Sequence, residues 1–152
     1  MDDEIRMYFA VTCEAMAQVV ACLRGLDEAA IRTKPAESAN SLLVIAKHML
    51  ANAERNVLHT FAGQPYTWNR EEEFRVVDET ADGLRAAHEA LVERIRSALD
   101  GISNSALDEA VVHPRLGPVP GRRVLLQAAI HAAEHEGEAR LTRVLVARAT
   151  DR

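Results

Sequence analysis

Aromatic residues make up only 4% of the chain, too few rings for a stacking platform on single-stranded nucleic acid. Positive charge is not in excess either. Eighteen Lys and Arg against 23 Asp and Glu give a formal net charge of -5. No basic stripe is visible to neutralise a phosphate backbone, so no nucleic-acid partner is expected. No uninterrupted apolar run approaches the roughly 20 residues of a membrane span. The opening MDDEIRMYFA is acidic where a secretory signal is basic, and the expectation is a cytoplasmic protein with no membrane partner. Cysteine is scarce. Cys13 and Cys22 fall on one helical pattern, roughly 13 Å apart along its axis, out of reach of a mutual disulfide. They read as small core residues in a reducing compartment. Convincing strand pairs, internal repeats and low-complexity tracts are missing too.

What is present is helical periodicity. The 152 residues are 48% apolar and 27% charged, the balance of one globular domain spanning the chain and able to bury its own core. A first helix is predicted from Asp3 to Leu26, with Ile5, Phe9, Thr12, Met16, Val19 and Leu23 at helical spacing and Gly25 near its end. The polar stretch through Lys34-Pro35 reads as a connector. A second helix starts at an Asn40 or Ser41 cap and carries Leu42, Ile45, Met49, Ala53 and Val57 to Gly63. A third runs from Asp78 to Asp100 and stops at Gly101, and a fourth follows LGPVPG and runs through Val146. The stretches QPYTWNREEEF and ISNSALDEAVVHPRLGPVPG, rich in Pro, Gly and polar residues, read as connectors. The second includes a short Leu107–Val111 piece that is either a helical turn or extended. The sum is an all-α fold, a four-helix bundle.

The last helix reads LLQAAIHAAEHEGEARLTRVLV. At about 100° per residue, Leu126, Ile130, Leu141 and Val144 cluster. Glu134, Leu145, Glu138, His131 and His135 continue round the same side, and Ala128 and Val146 close the arc. Ala129, Glu136, Arg140 and Arg143 fall opposite, as the expected wet face. His131 and His135 therefore sit one turn apart at the edge of the core. That i, i+4 spacing lets two imidazoles point at one cation, although histidine pairs at this spacing also occur on solvated faces. His48 lies near the apolar stripe of the second helix, and a bundle can bring it opposite the pair. His59 and His88 have no partner at ligand spacing, and His113 precedes Pro114 in a loop. Surface or capping roles suit these three better. HAAEH also fits the inverted zincin pattern H-x-x-E-H. Too little chain follows it for the usual downstream acidic ligand and peptide-binding domain, which disfavours a peptidase.

Together, LDEAAIRTKPAESANSLLVIAKHMLANAERNVL and GRRVLLQAAIHAAEHEGEARLTRVL resemble the DinB-like superfamily, over nearly the whole chain. Its relatives include mycothiol- or bacillithiol-dependent S-transferases and maleylpyruvate isomerases. The resemblance implies a four-helix bundle, commonly a homodimer, with a divalent metal on three histidines. These map onto His48, His131 and His135. Family members often carry glutamine where this chain has Glu138. Zinc and nickel are the first expectations for the ion, with iron and manganese as others.

Three imidazoles leave a metal an open position, as in catalytic rather than structural sites. The expected activity is a metal-dependent one on a small-molecule substrate, most simply attack of a low-molecular-weight thiol on an electrophile. A hydrolase using metal-bound water, or a non-catalytic metal- or ligand-binding dimeric stress protein, are the other classes. Glu134 and Glu138 flank the ligands and are candidates to orient an imidazole or a bound water. Asn52 is a weaker candidate for lining the pocket, and Tyr66 and Trp68 for covering it. Arg122 and Arg123 read as solvated.

Overall fold

The computed structural model describes residues 1–65, 67 and 69–150, the last two of these by backbone alone. Four long helices dominate: α1 (Asp3–Ala21), α3 (Leu42–Ala53), α5 (Ala81–Leu99) and α6 (Gly121–Thr150). Two five-residue helices, α2 (Glu28–Arg32) and α4 (Arg70–Phe74), lie in the connectors. A 3-10 turn (Asn104–Leu107) and a hairpin of β1 (Ala110–His113) and β2 (Gly117–Pro120) precede α6. The fold is all-α, as the periodicity predicts. Both cysteines are free thiols.

Local chemistry sets the helix boundaries. The Ser41 side chain accepts the Val44 N–H at the start of α3, and Thr80 accepts the Gly83 N–H at the start of α5, each meeting one of the donors a helix start leaves unpaired. Gly101, one residue past the end of the α5 cap, takes φ +79°, a conformation that costs a side chain and that glycine adopts freely. The predicted stripes of α1 and α3 point inward. Ile5, Met16, Val19, Leu42, Ile45 and Met49 are all at most 1% exposed, each contributing about 1.5–3 kcal/mol relative to an exposed side chain.

Beyond Ala53 the second predicted helix does not stop. It continues to Phe61 with wider π-type turns (Glu54–Phe61), and Arg55, Asn56 and Thr60 are buried there. At the other end of the molecule, α1 and α6 lie side by side and parallel. Arg122 pairs with Glu4 near both starts, and Arg143 donates to the carbonyls of Cys22 and Arg24 past the end of α1. Gly121 lets the start of α6 lie against the 3-10 turn and Phe61, since a Cβ there would stand 2.6 Å from the Ala106 carbonyl oxygen and 2.7 Å from the Phe61 ring.

Two expectations are corrected. The stretch ahead of α6, expected as connector from its Pro, Gly and polar residues with only a short turn or extended piece at Leu107–Val111, contains a hairpin. Pro118 and Pro120 pair with Val112 and Ala110, alternate positions at which the missing N–H points out of the ladder. The phase of α6 also differs from the expectation, although Ala128 and Val146 do face inward. Its buried side is Val124, Leu125, Ala128, Ala132, Ala139, Thr142 and Val146, with Ala129 inside as well. Leu126, Ile130, Leu141, Val144 and Leu145 are 39–62% exposed. This helix is apolar on two sides, and side-chain size pointed to the wrong one. The alanine side wins because α1 and α3 both pack on it, and small residues let helices approach closely.

Candidate metal centre

His48 projects from α3, and His131 and His135 from adjacent turns of α6. One ring nitrogen of each lies within 4.8 Å of the others. The Nε2 atoms of His48 and His131 are 3.2 Å apart. Two imidazole nitrogens on one tetrahedral zinc ion, at Zn–N of about 2.0–2.1 Å, stand about 3.3 Å apart, so the spacing fits a shared ion.

The remaining ring nitrogens decide which atoms face the centre. His48 Nδ1 donates to Glu73 Oε2 at 2.9 Å, and His135 Nδ1 donates to Glu138 Oε2 at 2.6 Å. With Nδ1 protonated and tied to a carboxylate, each neutral ring keeps its Nε2 lone pair free. Glu138 is steadied in turn by Asn40 Nδ2, 3.3 Å from its other oxygen. Glu73 is 3% exposed and also receives Arg55, whose guanidinium lies 2.6 Å from Oε1. Phe74 stacks on His48 at 4.3 Å between ring centroids.

Charge favours neutral rings. Burial pushes the His131 pKa down to about 3, with His135, His48, Arg55 and Arg115 adding to the depression. Burial, then His135, lowers His48 below its usual 6.5, against the opposing pull of Glu73. Burial also lowers His113. The unfolded chain therefore takes up protons near pH 6.5 that the folded metal-free chain refuses. For His131 this stability is complete above about pH 6.5 and falls as acid is added towards about pH 3, by up to about 1.4 kcal/mol per pH unit, and His48 and His113 add losses of the same sign below about pH 6.5. The urea midpoint of chelator-treated protein is expected to drop between about pH 7 and about pH 5. An unchanged midpoint would show that these rings stay solvated.

The structure brings His48, His131, His135 and Glu138 together. It leaves out Glu134, which is exposed and makes no hydrogen bond to the histidines among the described residues. Glu134 precedes His135 by one residue, a rotation of about 100°, which swings it toward solvent. His113 is buried rather than superficial, although it does cap a turn. Its Nδ1 accepts from the N–H groups of Arg115 and Leu116. Asn52 is buried and lines a cavity beside His131. Arg122 is engaged by Glu4 and Asp108. Tyr66 and Trp68 lie outside the described residues. Glu73 was missed by the sequence reading, which took REEEF as connector. The available signal was Asn69 ahead of three acids, a helix-start pattern; Asn69 does accept the Glu71 N–H.

An all-α bundle with three clustered histidines places the chain among DinB-like proteins. Residues 10–147 match the family model described as mycothiol-S-transferase, and the chain belongs to that family. Among solved structures it is similar to a conserved protein from Enterococcus faecalis, at TM-score 0.75 and 21% identity over 96% of this chain and 98% of that one. It is also similar to a DinB-like protein from Bacillus subtilis, at TM-score 0.55 and 18% identity over 93% and 90%. These likenesses are of fold. A search of curated proteins returned no match. No helix among the described residues is long and apolar enough to cross a membrane.

Proposed function

We propose that the chain is a divalent-metal-dependent S-transferase that joins a low-molecular-weight thiol to a small electrophile, with His48, His131 and His135 as metal ligands. The observation that carries this reading is the pair of Nε2 atoms 3.2 Å apart on separate helices, in a site where carboxylates hold two rings with Nε2 inward. Zinc and nickel suit three neutral imidazoles best. A bound divalent ion would supply the Lewis acidity that lowers the pKa of a thiol near neutral pH. The protein's own contribution is orientation: Glu73 fixes His48, Glu138 fixes His135, and Phe74 covers one face of His48. The family match supports a thiol over water as nucleophile, and the hydrolase reading has no feature of its own in its favour. The test is elemental analysis of untagged protein, followed by electrophile consumption with and without a mycothiol- or bacillithiol-type thiol. Metal together with thiol-dependent turnover is expected. Turnover that ignores the thiol would point to hydrolysis instead, and absence of metal after zinc and nickel reconstitution would remove the proposal.

Self-association belongs to the same reading. Leu126, Ile130, Leu141 and Val144, exposed by 39–62%, run down one side of α6 with Ala133 and Gly137 between them. A second copy is the occupant that best suits so long an apolar strip. Light scattering is expected to give twice the chain mass for the parent and one chain mass for Leu141→Glu. Leu141 is 62% exposed, so the substitution leaves the protomer folded. A dimer that survives it uses another face.

A further inference from the structure

A cavity of about 230 Å³ opens beside His131, with Asn52, Arg55, His113, Arg115 and Gln127 among its walls. Among the described residues no carboxylate lines it. Arg55 is already engaged by Glu73, which leaves Arg115, at the tip of the β1–β2 hairpin, as the wall's cation with no carboxylate partner described.

The buried polar side chains of this wall form one directed chain of hydrogen bonds. It starts at donors that cannot be reassigned, the backbone N–H groups of Arg115 and Leu116, 3.1 and 3.2 Å from His113 Nδ1. Because Nδ1 accepts, the proton of the neutral ring sits on Nε2, which donates to Asn56 Oδ1 at 3.0 Å. Asn56 thus has its oxygen toward His113, and its Nδ2 donates to Asn52 Oδ1 at 2.7 Å. Asn52 must then turn its amide N–H groups the other way. Reversing either amide would set donor against donor. His113, Asn56 and Asn52 are 5%, 1% and 6% exposed, so bulk water does not relieve such a clash.

We propose that the hairpin turn is the specificity element of the site, fixing Asn52 as an amide donor and, with Arg115, selecting a ligand that carries a carboxylate beside the metal centre. The inference rests on the metal reading for what happens at the other end of the ligand, but its own basis is the cavity wall. A planar carboxylate offers several lone pairs to a guanidinium and an amide at once. A phosphate dianion asks for more positive charge than one uncommitted guanidinium supplies.

The test is calorimetry on the full-length, zinc-loaded protein, with succinate, its neutral isostere succinamide and inorganic phosphate as probes. Succinate is expected to bind at least about tenfold tighter than succinamide, the scale of one charge-assisted hydrogen bond. Arg115→Gln should weaken succinate about tenfold while leaving succinamide binding, zinc content and Tm unchanged. Asn52→Leu should weaken succinate as well, and Arg115 keeps the test decisive where that buried variant is unstable. Equal binding of succinate and succinamide, phosphate bound more tightly than succinate, or succinate binding indifferent to Arg115→Gln would each overturn the proposal. In the last case the carboxylate is simply a metal ligand and the metal reading stands. Should the protein take up no zinc and yet bind succinate through Arg115, the metal reading falls and the carboxylate pocket remains.

Discussion

Replacing His131 by Ala is expected to strip the protein of its metal. Near-stoichiometric zinc or nickel in the untagged parent should fall to less than about a tenth of an ion per chain, because two imidazoles do not satisfy an ion that favours four ligands. His48→Ala should do the same from the other side of the bundle. A thiol-dependent activity should fall by about a thousandfold or more in both, since metal assistance is worth several kcal/mol of transition-state stabilisation. The fold should survive His131→Ala. Alanine is the better helix former, and the ring removed is one whose burial opposes its protonation. Far-UV circular dichroism establishes that the variant is folded, and elemental analysis gives the result. His59→Ala is the control. Its Nδ1 is bound to the Gln64 carbonyl at 2.6 Å, outside the centre, so metal should be retained. Full metal in His131→Ala would place the ion elsewhere and end the three-histidine proposal.

Glu73→Gln is expected to damage both stability and affinity. The carboxylate is buried, with Arg55 on one oxygen and His48 on the other. Glutamine keeps the shape, but it removes the charge and turns one acceptor into a donor, so Arg55 or His48 must face an N–H. Breaking a buried pair from one side costs about 3–5 kcal/mol, a large share of the roughly 5–15 kcal/mol that holds a domain together. Zinc affinity should also fall about 10- to 100-fold, the usual effect of losing the group that orients a ligand histidine. Urea unfolding and competition with a zinc chelator measure the two losses separately. Glu138→Gln makes the contrast. Glu138 orients His135 from the partly open side of the site, so affinity should fall while the urea midpoint moves little. If Glu73→Gln unfolds at the same urea concentration as the parent, the buried pair is not structural.

The long helices were legible because each repeats its apolar residues over several turns, so one misplaced residue does not erase the signal. The ligand set was legible for a related reason. His131 and His135 are neighbours by helical geometry alone, and His48 rides on a stripe whose direction the sequence shows. Glu73 has no such support. Its place beside His48 depends on the chain after Phe61 folding back over α3, where Lys47 pins it through the Arg75 carbonyl and the Glu79 carboxylate. None of that is periodic. The hairpin hid behind prolines that happen to lie off its ladder. The phase of α6 was misread because apolar residues occupy both of its sides, and periodicity cannot say which side meets the protein's own core.

The parallel contact between α1 and α6 joins the first and the last of the four long helices. A ribosome releases α1 long before its partner exists. Until α6 emerges the first helix has mainly α3 and α5 to pack against, and α3 holds His48 without the other two imidazoles. Closure of the bundle and assembly of the histidine cluster therefore wait together for α6 to emerge. A chain stalled before α6 lacks both the main packing partner of α1 and two of the three clustered imidazoles, so one helix closes the bundle and completes the histidine cluster together.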